Sequence, residues 1–428
     1  MLKRLAPAVV TALAIATPAL AQEPTTPSAP TSVADGGTAT TQSTPDTAAA
    51  APVVSGDGAV VAPPVEVGPV ALHRKGSQYW FDADFLLGFV RGDPLPPLVT
   101  TSPAGTPRIN AGILGQAGTT VLVGNQNANT GARYGFRIDA GYWCTCEQLL
   151  GLEADFFLVG GTTKTFSFTS TGTPILARPF LDVTTGLQSA ALVAFPGVSS
   201  GSIQVQDHAH DFWGYDIDLR ENMWHGPGYR FDSLFGYRYL RYDEQLTITQ
   251  NTQPTDGVFA TGTNVAVVDN FVTHNVFNGA DLGMRAEFYN DAWSLGLLAK
   301  VGVGVTEHTV NINGSTVTTA PGAAPVINGG GLLALSSNIG SKTAYDYSAV
   351  PELGVTLGWQ VTPNMRLTLG YDVLWWFNVA RPGEQINLNV NPGLIEPATS
   401  TTPATPTRTG QKDNVWLQAL NVGMEFRF

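Results

Sequence analysis

Trp293-Ser294-Leu295-Gly296-Leu297-Leu298-Ala299-Lys300-Val301-Gly302-Val303-Gly304-Val305 is the stretch on which the fold turns. Its odd positions are all apolar. Its even positions are Gly, Ser or Lys, apart from Leu298. A period of two puts these two sets on opposite faces of one strand. Such a strand fits two environments. In a soluble sheet the apolar face turns inward. In a membrane barrel it turns to lipid, and the small and charged face lines the interior.

The same alternation extends outward in both directions. The full segment is read as a strand over 292–312, with Lys300 on its polar face. Before it, a strand over 271–288 sets Leu282, Met284, Ala286 and Phe288 against Asp281, Arg285 and Glu287. The strand at 228–250 sets Phe231, Phe235, Tyr237 and Tyr239 against Arg230, Asp232 and Arg238. The strand at 208–220 sets Trp213, Tyr215, Ile217 and Leu219 against Asp216, Asp218 and Arg220. Further upstream lie 147–158 with Glu153 and Asp155, 132–143 with Arg133, Arg137 and Asp139, and 78–91 with Asp82 and Asp84. Downstream lie 342–360 with Glu352, 364–380 with Arg366 and Asp372, and 414–428. All these charges are expected to face the interior.

The connections choose between the two environments. Long ones (92–131, 160–207, 251–270, 313–341, 381–413) alternate with short ones (144–146, 221–227, 289–291, 361–363). Soluble β-proteins have short connections at both ends on average. Membrane barrels have short turns on the periplasmic side and long loops outside. The expectation is therefore an all-β chain, a transmembrane up-and-down antiparallel barrel of about ten strands. Thr120–Val123 and Thr165–Phe168 lie in long loops, and as an extra strand pair they would raise the count to about twelve. Tyr79, Tyr142, Trp293, Trp359, Trp375 and Trp416 fall near strand ends, where interface girdles sit. Met424, Phe426 and Phe428 share the lipid-facing phase of the last strand. They are read as a signal for the outer-membrane insertion machinery.

The N-terminus reads as an export signal over residues 1–21. Lys3 and Arg4 precede an apolar run that closes with Ala19-Leu20-Ala21. Residues 22–76 are rich in Pro, Ala, Thr, Ser and Gly, and are expected to form a disordered periplasmic linker ahead of a barrel domain over 77–428. Composition agrees: 428 residues carry a net charge of -12 and only 13% charged side chains, about half the ~25% usual in soluble domains. The acidic balance argues against nucleic acid as a partner.

The Tyr79-Trp80-Phe81-Asp82-Ala83-Asp84-Phe85-Leu86-Leu87 opening resembles the outer-membrane β-barrel protein-7 family. So do the hairpin from Tyr134-Gly135-Phe136-Arg137 to Glu153-Ala154-Asp155-Phe156-Phe157, and the Gly236-Tyr237-Arg238 stretch within Phe231–Tyr242. The resemblance covers 78–428. It implies a bacterial outer-membrane barrel and brings no catalytic residues with it.

Few residues suggest chemistry. His208 and His210 share a strand face, two residues apart. Asp207 and Asp211 fall on the opposite face by phase, and a transition metal usually needs three or four ligands. Cys144-Thr145-Cys146 sits in a short turn, where a bridge across one residue would be strained. No Walker loop, nucleophile elbow or H-E-x-x-H occurs. No enzyme activity, cofactor or metal is therefore expected. The expected function is a structural or surface-exposed barrel with long external loops and a largely filled interior. The alternatives are a narrow porin-like diffusion channel and, more weakly, a barrel-embedded surface hydrolase.

Overall fold

The computed structural model describes residues 77–396 and 398–428. The expected export signal and linker lie outside them. In chain order the strands are β1 (Tyr79–Val90), β2 (Asp93–Leu95), β3 (Val99–Ser102), β4 (Thr120–Val123), β5 (Gln126–Ala128), β6 (Ala132–Trp143), β7 (Leu150–Val159), β8 (Thr162–Ser170), β9 (Ile175–Asp182) and β10 (Leu187–Ala194). Then come β11 (Ser199–Gly226), β12 (Tyr229–Pro254), β13 (Asn264–Asn290), β14 (Trp293–Thr319), β15 (Val326–Gly329), β16 (Gly340–Thr362), β17 (Met365–Val379), β18 (Asn389–Val390) and β19 (Asp413–Arg427).

Ten of them close a ring in the order β1-β6-β7-β11-β12-β13-β14-β16-β17-β19, every neighbour antiparallel. Closure is made by β1 against β19, from Trp80 opposite Arg427 to Val90 opposite Leu417. A closed ring leaves no edge and pairs every strand on both sides, which is what a lipid environment demands of a β-structure. The fold expected from the sequence is therefore the one observed. The 120–123 and 165–168 segments are strands, but they do not enlarge the ring. The first lies in β4, paired with β3, and the second lies in β8, paired only with β11.

Short turns join neighbours at one end. Pro227-Gly228 connects β11 to β12, with Gly228 at φ +85°, and Asp291-Ala292 connects β13 to β14, with Asp291 at φ +52°. Both are two-residue connections that need the left-handed region, which Gly takes freely and Asp tolerates. Near this end the exterior is apolar and aromatic. Phe85, Phe235, Met284, Leu353 and Val422 are all exposed, and Tyr79 packs on Tyr142 while Trp293 packs on Trp359.

The other end departs from the expected boundaries. β11 runs for 28 residues rather than over 208–220, and β12, β13 and β14 run 26 to 27 residues. Beyond the Trp213–Tyr239 pair the chemistry of the wall inverts. Ile203, Val205, Leu246, Ile248, Phe271 and Ile312 turn inward and are buried, while Gln204, Gln206 and Thr247 face out. This is the pattern of a sheet in water, so the wall stands clear of the apolar belt. Within its curve lies a second sheet, β10-β9-β3-β4 with β18 alongside β9. Leu98, Val99, Val123, Leu176, Phe180, Val193 and the Leu332–Leu335 turn pack against the inward wall residues as one core. The long loops thus fold into a cap.

Candidate functional site

The barrel interior is built in four levels, three of them polar and one apolar. Nearest the short turns, Arg220 donates to Glu153 at 3.0 Å and Asp232 at 2.7 Å, with Glu287 at 3.7 Å, and it stacks over Trp80 and Trp143. Arg230 lies over Trp143 at 4.2 Å and pairs with Asp232 at 2.8 Å. Arg285 donates to Glu153 at 2.6 Å. Arg366 pairs with Glu425 and donates to Ser294 at 2.9 Å. Asp139 accepts from the Trp80 indole at 2.7 Å, and Asp84 accepts from the Thr368 hydroxyl at 3.1 Å. Asp82 Oδ1 has no hydrogen-bond partner among the described residues.

The next level is tied across the barrel. Arg137 on β6 reaches Asp155 at 2.6 Å, Glu352 on β16 at 2.8 Å and Asp372 on β17 at 3.1 Å. Arg238 on β12 reaches Glu352 at 2.6 Å, Asp216 at 3.1 Å and Asp281 at 3.2 Å. Lys300 contacts Asp218 at 2.6 Å, Asp216 at 2.7 Å and Asp281 at 2.8 Å. These three aspartates converge closely enough to hold a cation. The Lys300 ammonium already fills that position, so the trio reads as its counter-ion cage. Glycines on the wall make room for long side chains. Gly302 lies under Phe277 and the Arg238 stem, which a Cβ would crowd at 3.1–3.3 Å.

Above the ions lies an apolar layer of Leu86, Phe157, Phe212, Leu240, Phe277, Trp376 and Leu417. Phe212 on β11 meets Trp376 on β17 at 6.0 Å between centroids, although these strands stand on opposite sides of the ring. Trp376 donates to Thr306 at 2.9 Å, so its indole N–H is satisfied. Arg133 sits at this height, 3.5 Å from the Tyr242 hydroxyl.

A last polar step separates this layer from the cap. Arg381 is fully buried and clasps Glu244 at 2.6 and 2.7 Å. Asp93 lies 4.0 Å away. Burial holds the Asp93 carboxyl well above its usual range, against the pull of Arg381, and Glu244 adds to the rise. Sequence reading missed Arg381 and Asp93, because both lie in the long connections 381–413 and 92–131, which carry no periodicity. Glu244 continues the inward phase of Arg238, and that phase could have found it. Glu425 and Arg427 were visible on the polar face of the last strand, yet they were not among the expected interior charges.

The remaining candidates stay apart. The His208 and His210 rings are 4.2 Å apart, and Thr163 shares a 2.6 Å hydrogen bond with His208 Nδ1. Asp207 is fully buried, on the opposite face as expected. Asp211 is not: it is exposed and accepts the Gly161 N–H. The cause is a bulge. His210 and Asp211 together oppose one residue of β12, which shifts the phase of β11. Among the described residues neither His belongs to a cluster of three ligating groups. Cys144 and Cys146 are exposed free thiols. At the end of β19, Met424 and Phe428 face outward, and Phe426 is half-buried and stacks on Phe428.

A family model described as "Putative beta barrel porin-7" matches residues 80–428. The chain belongs to the beta barrel porin-7 family. That places it as a β-barrel of the bacterial outer membrane. No curated protein matches it. Among solved structures it is similar to the outer membrane protease OmpT from Escherichia coli, at 10% identity, over 82% of this chain and 97% of that one, with a TM-score of 0.37. It is also similar to the toluene transporter TbuX of Ralstonia pickettii, at 10% identity, over 85% and 94%, with a TM-score of 0.19. The Pseudomonas putida toluene transporter TodX matches at 7% identity, over 84% and 94%, with a TM-score of 0.18.

Proposed function

We propose that this protein is a closed outer-membrane barrel whose work is done by the folded cap at its outer surface. The observation that carries this reading is the succession of barriers inside. The Arg137, Arg238 and Lys300 ion pairs, the Phe212–Trp376 contact across the ring and the cap core lie one above another. Ten strands stand near the eight that side chains just fill, far from the ~16 that leave an aqueous channel. In this reading the short turns face the periplasm and the capped end faces outward. The apolar exterior contacts outer-membrane lipid, and the Met424-Phe426-Phe428 face of β19 is read by the insertion machinery.

A narrow diffusion channel is the second reading. It is favoured by the family's description as porins and by the cavity of about 130 Å³ that enters from the short-turn end. The refolded mature chain in a planar bilayer separates the two. Insertion without conductance steps is the expected result, with folding verified by the heat-dependent gel shift. Stable steps of defined size, altered in selectivity by charge reversal at Arg137 or Asp155, would replace the closed reading with the channel. A surface hydrolase has no assembled site in its favour among the described residues.

A further inference from the structure

Two imidazoles converge on the outer face of β11. Residues two apart on a strand stand about 6.6 Å from one another, at ~3.3 Å per residue. The His208 and His210 rings lean together until their centroids are 4.2 Å apart, edge to face. His208 is half-buried and His210 is exposed. Both precede Trp213, on the part of β11 whose outward side chains include Gln204 and Gln206. This wall stands in water, so an aqueous ion reaches the pair without crossing lipid.

Three features prepare the pair as ligands. Thr163 on β8 holds His208 by Nδ1 at 2.6 Å, which fixes the ring and leaves Nε2 free. An oxygen on the far nitrogen is the usual support of a ligating histidine. Among the described residues, neither Nε2 of His208 nor either nitrogen of His210 has a hydrogen-bond partner. Finally, the bulge brings a carboxylate to the same exposed face. Asp211 accepts the Gly161 N–H with Oδ1, and its other oxygen is unengaged among the described residues. On the neighbouring β12, Arg241 is tied to Asp243 at 2.7 Å, so its charge is balanced.

We propose that His208 and His210 chelate a transition-metal ion, Cu2+, Ni2+ or Zn2+, on the outer wall of the barrel. Two nitrogens, each about 2.0–2.1 Å from one ion, stand about 3.3 Å apart in a tetrahedral shell. Rings with centroids 4.2 Å apart come to that spacing by a turn about χ2, a soft torsion. Imidazole selects these ions over Mg2+ and Ca2+, which take oxygen ligands. Water completes the shell. Structural metal sites are closed by four protein ligands. Two histidines leave the ion exchangeable, so the site suits capture and release of metal rather than support of the fold.

Cu2+ is the probe, because nitrogen sites bind it most tightly in this series. The exposed Cys144 and Cys146 thiols would compete for it, so the folded mature chain in detergent carries Cys144→Ser/Cys146→Ser. Isothermal titration gives the affinity, and electron paramagnetic resonance gives the donor atoms. We expect one tight equivalent whose spectrum carries nitrogen splitting from two imidazoles. His208→Ala and His210→Ala should each weaken binding by more than tenfold. Thr163→Val removes only the support of His208 and should weaken it by roughly tenfold, the low end for an outer-shell partner. His274→Ala, at a histidine that faces Asp243, should change nothing. The heat-dependent gel shift checks folding, and His208→Gln and His210→Gln replace any alanine variant that fails it. Absence of binding, or a spectrum without two nitrogens, would overturn the proposal and leave the rings as a packing contact. An affinity untouched by either histidine substitution would overturn it too, since one imidazole is no chelate. The site lies outside the barrel, so failure here leaves the closed-barrel reading intact.

Discussion

Lys300→Met should destabilise the barrel by roughly 3–5 kcal/mol, the usual cost of removing one partner from a buried ionic cluster. Lys300 is buried, and its ammonium lies 2.6–2.8 Å from three carboxylates. The three do not suffer equally. Asp216 and Asp281 retain Arg238 at 3.1 and 3.2 Å, whereas Lys300 is the one ion-pair partner of Asp218 among the described residues. The loss should therefore concentrate on Asp218. Adding Asp218→Asn to Lys300→Met should recover more than half of the lost stability, and Asp216→Asn should recover less. Urea unfolding of the refolded protein in lipid vesicles, followed by tryptophan fluorescence, gives the comparison. An unchanged midpoint for Lys300→Met would mean that water already shares this site, and the filled interior would be wrong at its centre.

That cage shows which part of the interior the sequence could reveal. Lys300, Asp216, Asp218 and Asp281 all lie in strands whose outward faces carry Leu, Val, Ile or aromatic residues. Alternation against lipid marks their inward phase without knowledge of the neighbours. The signal fails where the outside becomes wet. In β11 the inward residues become Ile203 and Val205 and the outward ones Gln204 and Gln206. The period is still two, but the polarity is reversed, and the bulge at His210-Asp211 shifts the phase as well. Apolar-out alternation therefore ends at 208, nine residues short of the strand's start at Ser199. Pairing is harder still. Phe212 and Trp376 are separated by about half of the barrel sequence and meet only because the ring closes. Arg381 reaches Glu244 from a loop, where nothing local fixes the direction of a side chain.

Asp269→Ala should release the cap while leaving the barrel folded. The Asp269 carboxylate is completely buried on β13. One oxygen accepts the backbone N–H groups of Leu332, Leu333 and Ala334 at 3.0, 2.9 and 2.7 Å, and the other accepts Arg178 Nη2 at 2.5 Å. It thus joins the barrel wall to the 330s turn and, through Arg178 on β9, to the cap sheet. Alanine would strand three buried donors and a guanidinium, at about 1–3 kcal/mol for each unsatisfied group. The chain can avoid that cost by local opening, because separate residues hold the cap and the transmembrane ring. The ring keeps its ion cage and its Phe212–Trp376 layer. Proteinase K should then cut within 320–340 at least tenfold faster than in wild type, while the heat-dependent gel shift persists. Bilayers should stay silent, since the aromatic layer still crosses the barrel below the cap. Conductance steps in this variant would make the cap the sole gate and revive the channel reading. Loss of the gel shift would show that cap and barrel unfold as one cooperative unit.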